Sequence, residues 1–203
     1  MNLPTPCFET ICVQQRQFSD LMPYHQARLN RTRRELYGIA EPLNLRDILE
    51  IPDTVDAGKH KCRVTYGPDI VNIEWERYLP RSISRLQLVE DNTIEYAYKY
   101  KNRDHLNQLH AQRGDCDDVL IVKNGLITDT SYANVALFDG SSWYTPKVPL
   151  LPGTQRARLL DERVLIPREI RVDDLSRYSE VKLFNAMVSW EEGAQLAVEK
   201  TIR

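Results

Sequence analysis

The stretch VLIVKNGLITDTSYANVALFDGSSWYTP, residues 119–146, decides the reading of the fold. Its apolar runs are cut by Asn124-Gly125 and Asp139-Gly140. Such pairs accept the positive φ angles of tight hairpin turns, so the pattern predicts strand, turn, strand, turn, strand. LLPGTQRARLLDERVL (150–165) follows as a Pro152-Gly153 turn into a helix that Thr154 opens. SEVKLFNAMVSWEEGAQL (179–196) supplies a strand and a final strand or turn. Working back, RDHLNQLHAQRG (103–114) reads as a helix that stops at Gly114. CRVTYG, IVNIEWERYL, ISRLQLVE and TIEYAYKY have period two and read as strands. FETICVQQRQF (8–18) reads as a short hairpin. SDLMPYHQARLNRTRRELYG (19–38) is a predicted helix, with Ser19 or Asp20 as its cap, Pro23 in or just before its first turn and Gly38 at its end. LNLRDILEIP (43–52) is a predicted second short helix. Helices and strands alternate irregularly among many hairpins, which indicates an α+β protein, not a doubly wound sheet. The hairpin-rich half begins near residues 96–104, a natural place for a change of domain.

Composition narrows the function classes. The 203 residues carry 27 Lys and Arg against 29 Asp and Glu, a net charge of −2. A dedicated nucleic-acid binder usually has a basic excess. No apolar run reaches bilayer length, and MNLPTPCFETICVQQRQF lacks the layout of a secretory signal. Cys7, Cys12, Cys62 and Cys116 form no C-x-x-C pair and read as cytosolic thiols. His25, His60, His105 and His110 are scattered, so no metal site is expected.

Four stretches invite a chemical reading. In IEYAYKYKNR (94–103), tyrosines at 96, 98 and 100 would share one strand face, with Ala97, Lys99 and Lys101 on the other. The plain reading is two solvated lysines. LPGTQR (151–156) opens a helix whose free N–H groups and positive dipole end suit a phosphate, although most such turns bind nothing. Asp129, Ser131 and Asn134 are polar residues set between apolar strand segments. Arg28, Arg31, Arg33 and Arg34 ordinarily mean a solvated helix face, but Arg28 falls on the side of Leu21 and Leu29.

Taken in order, these pieces resemble the class IV aminotransferases, the pyridoxal-phosphate enzymes of fold type IV. F-E-T-I (8–11) is followed by H-x-x-R-L (25–29), K-x-x-N-R (99–103), T-D-T-S-x-x-N (128–134), T-P (145–146), L-P-G-T-x-R (151–156) and Asn185-Ala186. The resemblance implies an α+β fold with a small N-terminal α/β domain, residues 1–97, and a larger C-terminal pseudo-barrel domain, residues 98–203. The resemblance implies that the small domain is abbreviated, since the glycine-rich segment usual before F-E-T is not found ahead of Phe8. The resemblance also implies pyridoxal 5'-phosphate as cofactor, with Lys99 and not Lys101 as the lysine that condenses with its aldehyde. Arg28, Thr154 with the Gln155 N–H, and Asn185 with Ala186 match the phosphate contacts. Asp129 stands where the family has glutamate beside the ring nitrogen, with one methylene less. A homodimer in the cytoplasm acting on a small amino substrate is expected, with no nucleic acid or membrane partner. Tyr66, Tyr78, Arg81, Tyr98 and Arg103 are candidates for lining the substrate side. K-x-x-N-R and F-E-T-I are closer to aminodeoxychorismate lyase, which releases pyruvate and leaves 4-aminobenzoate. An aminotransferase acting on D-amino or branched-chain amino acids is the alternative. A relative that keeps the fold and has lost catalysis is a third reading.

Overall fold

The computed structural model describes residues 5–203. Residues 1–4, the start of the stretch read as lacking a secretory signal, lie outside the described residues. The chain forms two compact units. The first holds the described residues through Pro80 together with Tyr98–Asn102. The second holds Arg81–Ala97 and Arg103–Arg203.

The first unit is a four-stranded antiparallel sheet with one long helix. Strand β1 (Cys7–Gln14) turns through Gln15 and Arg16, both at positive φ, into the two-residue β2 (Gln17–Phe18). Helix α1 (Met22–Tyr37) and the single turn α2 (Leu45–Ile48) precede β3 (His60–Tyr66) and β4 (Ile70–Arg77). The order is β2-β1-β3-β4. Cys7, Ile11 and Val13 of β1 and Cys62, Val64 and Tyr66 of β3 make one apolar face, and Met22 and Leu29 of α1 pack into it. The alternate residues, including Phe8, Thr10, Arg63 and Thr65, take the opposite face.

The second unit has two sheets. Strand β5 (Leu86–Glu90) lies parallel to β6 (Asp118–Lys123), which turns at Asn124-Gly125 into antiparallel β7 (Leu126–Thr130). Helix α3 (Asp104–Ala111) precedes β6. Strands β8 (Asn134–Phe138) and β9 (Trp143–Pro146) form the next hairpin, followed by α4 (Thr154–Asp161), β10 (Leu165–Arg168), a 3-10 turn (Val172–Arg177), β11 (Glu180–Phe184), β12 (Gln195–Ala197) and α5 (Val198–Thr201). The five-stranded sheet runs β10-β9-β8-β11-β12. Leu120, Ile127, Val135, Leu137, Tyr144 and Val181 anchor a shared core.

Three local expectations need correction. TIEYAYKY is not a strand: only Tyr100 pairs, as an isolated bridge to Cys7. Leu21, not Ser19 or Asp20, occupies the N-cap of α1, and no side chain caps it. The second predicted helix shrinks to Leu45–Ile48, where the Asn44 side chain accepts the Arg46 N–H at 3.2 Å. No helix among the described residues is long and apolar enough to cross a membrane.

Candidate active site

In the first unit, the H-x-x-R spacing puts His25 and Arg28 one turn apart on the buried side of α1. Both meet Glu9 of β1, which is wholly buried. Arg28 Nε donates to Glu9 Oε1 at 2.8 Å and Arg28 Nη2 to Oε2 at 2.6 Å, a two-pronged pair. His25 Nδ1 lies 2.6 Å from the same Oε2. Burial alone would raise the Glu9 carboxyl. The Arg28 charge and the bonds from Arg28 and His25 outweigh it and hold Glu9 at about 2. Burial depresses His25, which favours the neutral ring, and its Nε2 is buried without a hydrogen-bond partner. Arg33, expected on a solvated face, is also buried, its guanidinium donating to the Pro68 and Glu41 carbonyls.

Lys99 is half-buried and Lys101 exposed. The Phe8 N–H donates to the Lys99 carbonyl at 2.9 Å, and the Lys101 N–H to the Pro6 carbonyl at 2.7 Å, so the lysine segment is tied to β1. Lys99 Nζ sits 4.9 Å from the Phe8 ring centroid, and the Arg63 guanidinium carbon 5.2 Å from the same centroid. Two cations therefore share one aromatic ring. Arg63 forms no ion pair among the described residues, and its Nε is buried without a hydrogen bond. Two of the proposed lining groups lie here, Tyr66 with its hydroxyl buried and without a hydrogen-bond partner. Tyr66 is buried in the core, and the Tyr98 hydroxyl donates to Glu35 at 3.1 Å.

In the second unit, Asp129 is buried near the end of β7. Its Oδ1 accepts Asn134 Nδ2 at 2.8 Å and its Oδ2 accepts the Leu151 N–H at 2.9 Å. Burial pushes the Asp129 carboxyl up to about 6, against the pull of those two bonds and of the Arg156 charge. Asn134 Nδ2 also donates to the Leu151 carbonyl at 3.0 Å. Gly153 and Thr154 follow as N-cap and first residue of α4. Thr154 Oγ1 and Gln155 Nε2 are buried and have no hydrogen-bond partner. Arg156 is buried, donating to Thr145 Oγ1 at 3.3 Å and to the Pro146 carbonyl at 2.7 Å. The Asn185 side chain builds a turn: Oδ1 accepts the Met187 and Val188 N–H groups, and Nδ2 donates to the Tyr132 carbonyl at 3.3 Å. The Asn185 N–H donates to the Val188 carbonyl at 3.0 Å, so within this turn the Ala186 N–H is the backbone donor left to meet a ligand. Arg103 Nη2 donates to the Ser131 carbonyl at 2.6 Å, and Arg81 lies over the Tyr132 ring at 6.0 Å.

The family model of the class IV amino-transferases matches residues 6–192. The chain belongs to the class IV aminotransferases. A Haemophilus influenzae relative, an uncharacterized protein, is 37% identical over 184 residues, covering 90% of this chain and 97% of its own. A crystal structure from Haemophilus somnus, named a "putative 4-amino-4-deoxychorismate lyase", is 34% identical, with a TM-score of 0.83 over 92% of this chain and 98% of that one. A hypothetical aminotransferase from Mycobacterium tuberculosis in its PLP-bound form shares the fold at 18% identity, with a TM-score of 0.79 over 98% of this chain and 81% of that one. Class IV aminotransferases depend on pyridoxal phosphate, and this class IV aminotransferase is an enzyme of that kind. Its own residues fit the cofactor. The buried Thr154 hydroxyl at the start of α4 is a donor without a partner, as a phosphate oxygen requires. Asp129 offers a fixed carboxylate with lone pairs beyond the two already used.

The motif residues Glu9, His25 and Asn134 were visible in the sequence, but their partnerships were not. Glu9 and His25 meet across 16 residues of chain, and only the packing of α1 on β1 joins them. Arg63 carried no signal beyond its place in a period-two run.

Proposed function

We propose that this enzyme is an aminodeoxychorismate lyase, removing pyruvate from an amino-substituted, chorismate-type substrate to leave 4-aminobenzoate. The observation that carries this reading is the 34% identity across 98% of the Haemophilus somnus chain that bears the lyase name. The K-x-x-N-R motif at Lys99–Arg103 supports it. So does the Arg63 guanidinium beside Phe8, since an arginine without an ion pair suits a carboxylate-bearing substrate.

When bound, pyridoxal phosphate supplies the electron sink for breaking a C–H bond beside the substrate nitrogen. Lys99 would be the amine that holds the cofactor, and its free amine would take the proton from the amino-bearing carbon of the substrate. Asp129 would pair with the ring nitrogen and keep it protonated. By the family resemblance, Arg28, Thr154, the Gln155 N–H and the Asn185-Ala186 turn would hold the phosphate, the last through the Ala186 N–H. Gripping a dianion from separate segments keeps the reacting carbon aligned with the amine. Elimination of pyruvate, or return of a proton elsewhere, separates a lyase from an aminotransferase.

The test supplies aminodeoxychorismate to the pyridoxal-phosphate-loaded protein and follows 4-aminobenzoate and pyruvate together. Equal amounts of both are expected. Amino transfer between D- or branched-chain amino acids and a 2-oxo acid, with no aminobenzoate, would replace the lyase by the aminotransferase reading. No turnover of either kind would favour a lapsed enzyme.

A further inference from the structure

Asn134 has no role in the reaction as described so far, yet it makes two hydrogen bonds in the second unit. Its Nδ2 donates both to Asp129 Oδ1 at 2.8 Å and to the Leu151 carbonyl at 3.0 Å. The Leu151 N–H in turn donates to Asp129 Oδ2 at 2.9 Å. The carboxylate, the amide and the backbone of one residue, Leu151, therefore close a ring of three hydrogen bonds. The far side of the amide is equally constrained. A Cβ added at Gly153 would stand 1.9 Å from Asn134 Oδ1, so only glycine leaves room for the amide there. Asn134 itself is buried and begins β8, where its backbone is fixed by the Phe184 pairing in the sheet. Thr154, the first residue of α4, follows directly on Gly153.

We propose that Asn134 is a positioning residue for the ring-nitrogen partner: its amide holds the Asp129 carboxylate ionised and in one orientation, braced against Gly153. This rests on the reading of Asp129 as the group that faces the ring nitrogen. The need follows from the side-chain inventory. An aspartate has a single methylene, so its carboxylate direction is set by two torsions, and a buried carboxylate rotates toward whichever donors it finds. The Leu151 N–H reaches Oδ2, and the Leu150 backbone adds a smaller pull on the same carboxyl. The Asn134 amide fixes Oδ1 and adds a donor that favours the charged form over the neutral acid. Without it, desolvation would favour the protonated acid, which cannot keep a ring nitrogen protonated.

The test uses the holoenzyme loaded with pyridoxal phosphate carrying nitrogen-15 in its ring, and reads ring-nitrogen protonation by NMR across pH alongside kcat. Three variants are compared with the natural protein: Asp129→Asn, Asn134→Leu and Gly153→Ala. Asn134→Leu keeps the volume and removes the amide. Gly153→Ala pushes the amide away while leaving Asn134 and Asp129 in the chain, and it keeps the question open to refutation if the leucine variant fails to fold. Loss of an outer positioning partner typically costs roughly 10–100-fold. The expected result is a kcat loss of that order in Asn134→Leu and Gly153→Ala, with the ring-nitrogen titration moved to lower pH as in Asp129→Asn. If Asp129→Asn moves the titration and neither other variant does, the positioning role is overturned while the reading of Asp129 stands. If Asp129→Asn itself leaves the titration in place, the reading of Asp129 fails and the proposal falls with it.

Discussion

Glu9 shows how a single buried carboxylate shapes both stability and site. It is wholly buried, and its two oxygens take the Arg28 fork and the His25 ring. Its folded value of about 2 lies below the ordinary 4.5. A depressed carboxyl contributes stability that is present above the unfolded value and lost as pH falls through the folded one. Stability supplied by Glu9 should therefore decline between about pH 4.5 and about pH 2. Replacing Glu9 with Gln strands the Arg28 charge, which should cost about 3–5 kcal/mol at pH 7. Denaturant unfolding at several pH values would show the loss and a flatter acid limb. Asp129 has the opposite sign, being raised from 3.8 to about 6 by burial. In the cofactor-free protein its contribution is complete below pH 3.8 and is lost as pH rises to about 6. Asp129→Asn should remove that slope from the same unfolding series. Lys99 carries the chemical prediction. Borohydride reduction of the loaded enzyme followed by peptide mapping should place the pyridoxyl group on Lys99. Lys101→Ala should leave the label in place, and label on Lys101 would move the reaction two residues along.

At the scale of elements, local rules read well where they act alone and poorly where tertiary contacts override them. The Asn124-Gly125 and Asp139-Gly140 hairpins formed as expected, because turn geometry depends on backbone freedom that those residues supply. Gly38 ends α1 at φ 70°, with its N–H donating to the Arg33 carbonyl. Nothing lies within 4 Å of an added Cβ, so Gly38→Ala probes backbone strain without a clash. It should cost about 1 kcal/mol in denaturant unfolding and leave Lys99 labelling unchanged. The alternating tyrosines of 94–100 misled for a different reason. Tyr98 bonds Glu35, Tyr100 bridges Cys7, and the flanking backbone bonds tie the segment to β1, so the period of two comes from scattered tertiary partners, not from a ladder. The cap of α1 misled similarly. The Ser19 N–H is taken by Cys12 and its carbonyl by Met22, which holds the residue in the turn before the helix.

For the whole molecule, the order of the motifs along the chain was enough to read the family, even though K-x-x-N-R and Asn185-Ala186 lie outside any helix or strand. The partners of those motif residues were not legible, since Glu9 with Arg28 and Asp129 with Leu151 join positions 19 and 22 residues apart through packing alone. Cofactor binding tests the assembled set. A ligand that binds only the folded protein stabilises it by about 2.7 kcal/mol at a hundredfold excess over its dissociation constant. Pyridoxal phosphate should therefore raise the thermal midpoint in proportion to the logarithm of its concentration. Pyridoxal, which lacks the phosphate, should raise it less at equal concentration. The difference between the two ligands isolates the phosphate contacts from the grip on the ring. Thr154→Ala removes a buried hydroxyl that has no other partner, so it should narrow that difference at little cost to the cofactor-free protein. Arg28→Lys gives up the two-pronged bond to Glu9 and should both lower the cofactor-free midpoint and narrow the difference. A lowered midpoint with an unchanged difference would make Arg28 a support for β1 and remove it from the phosphate site.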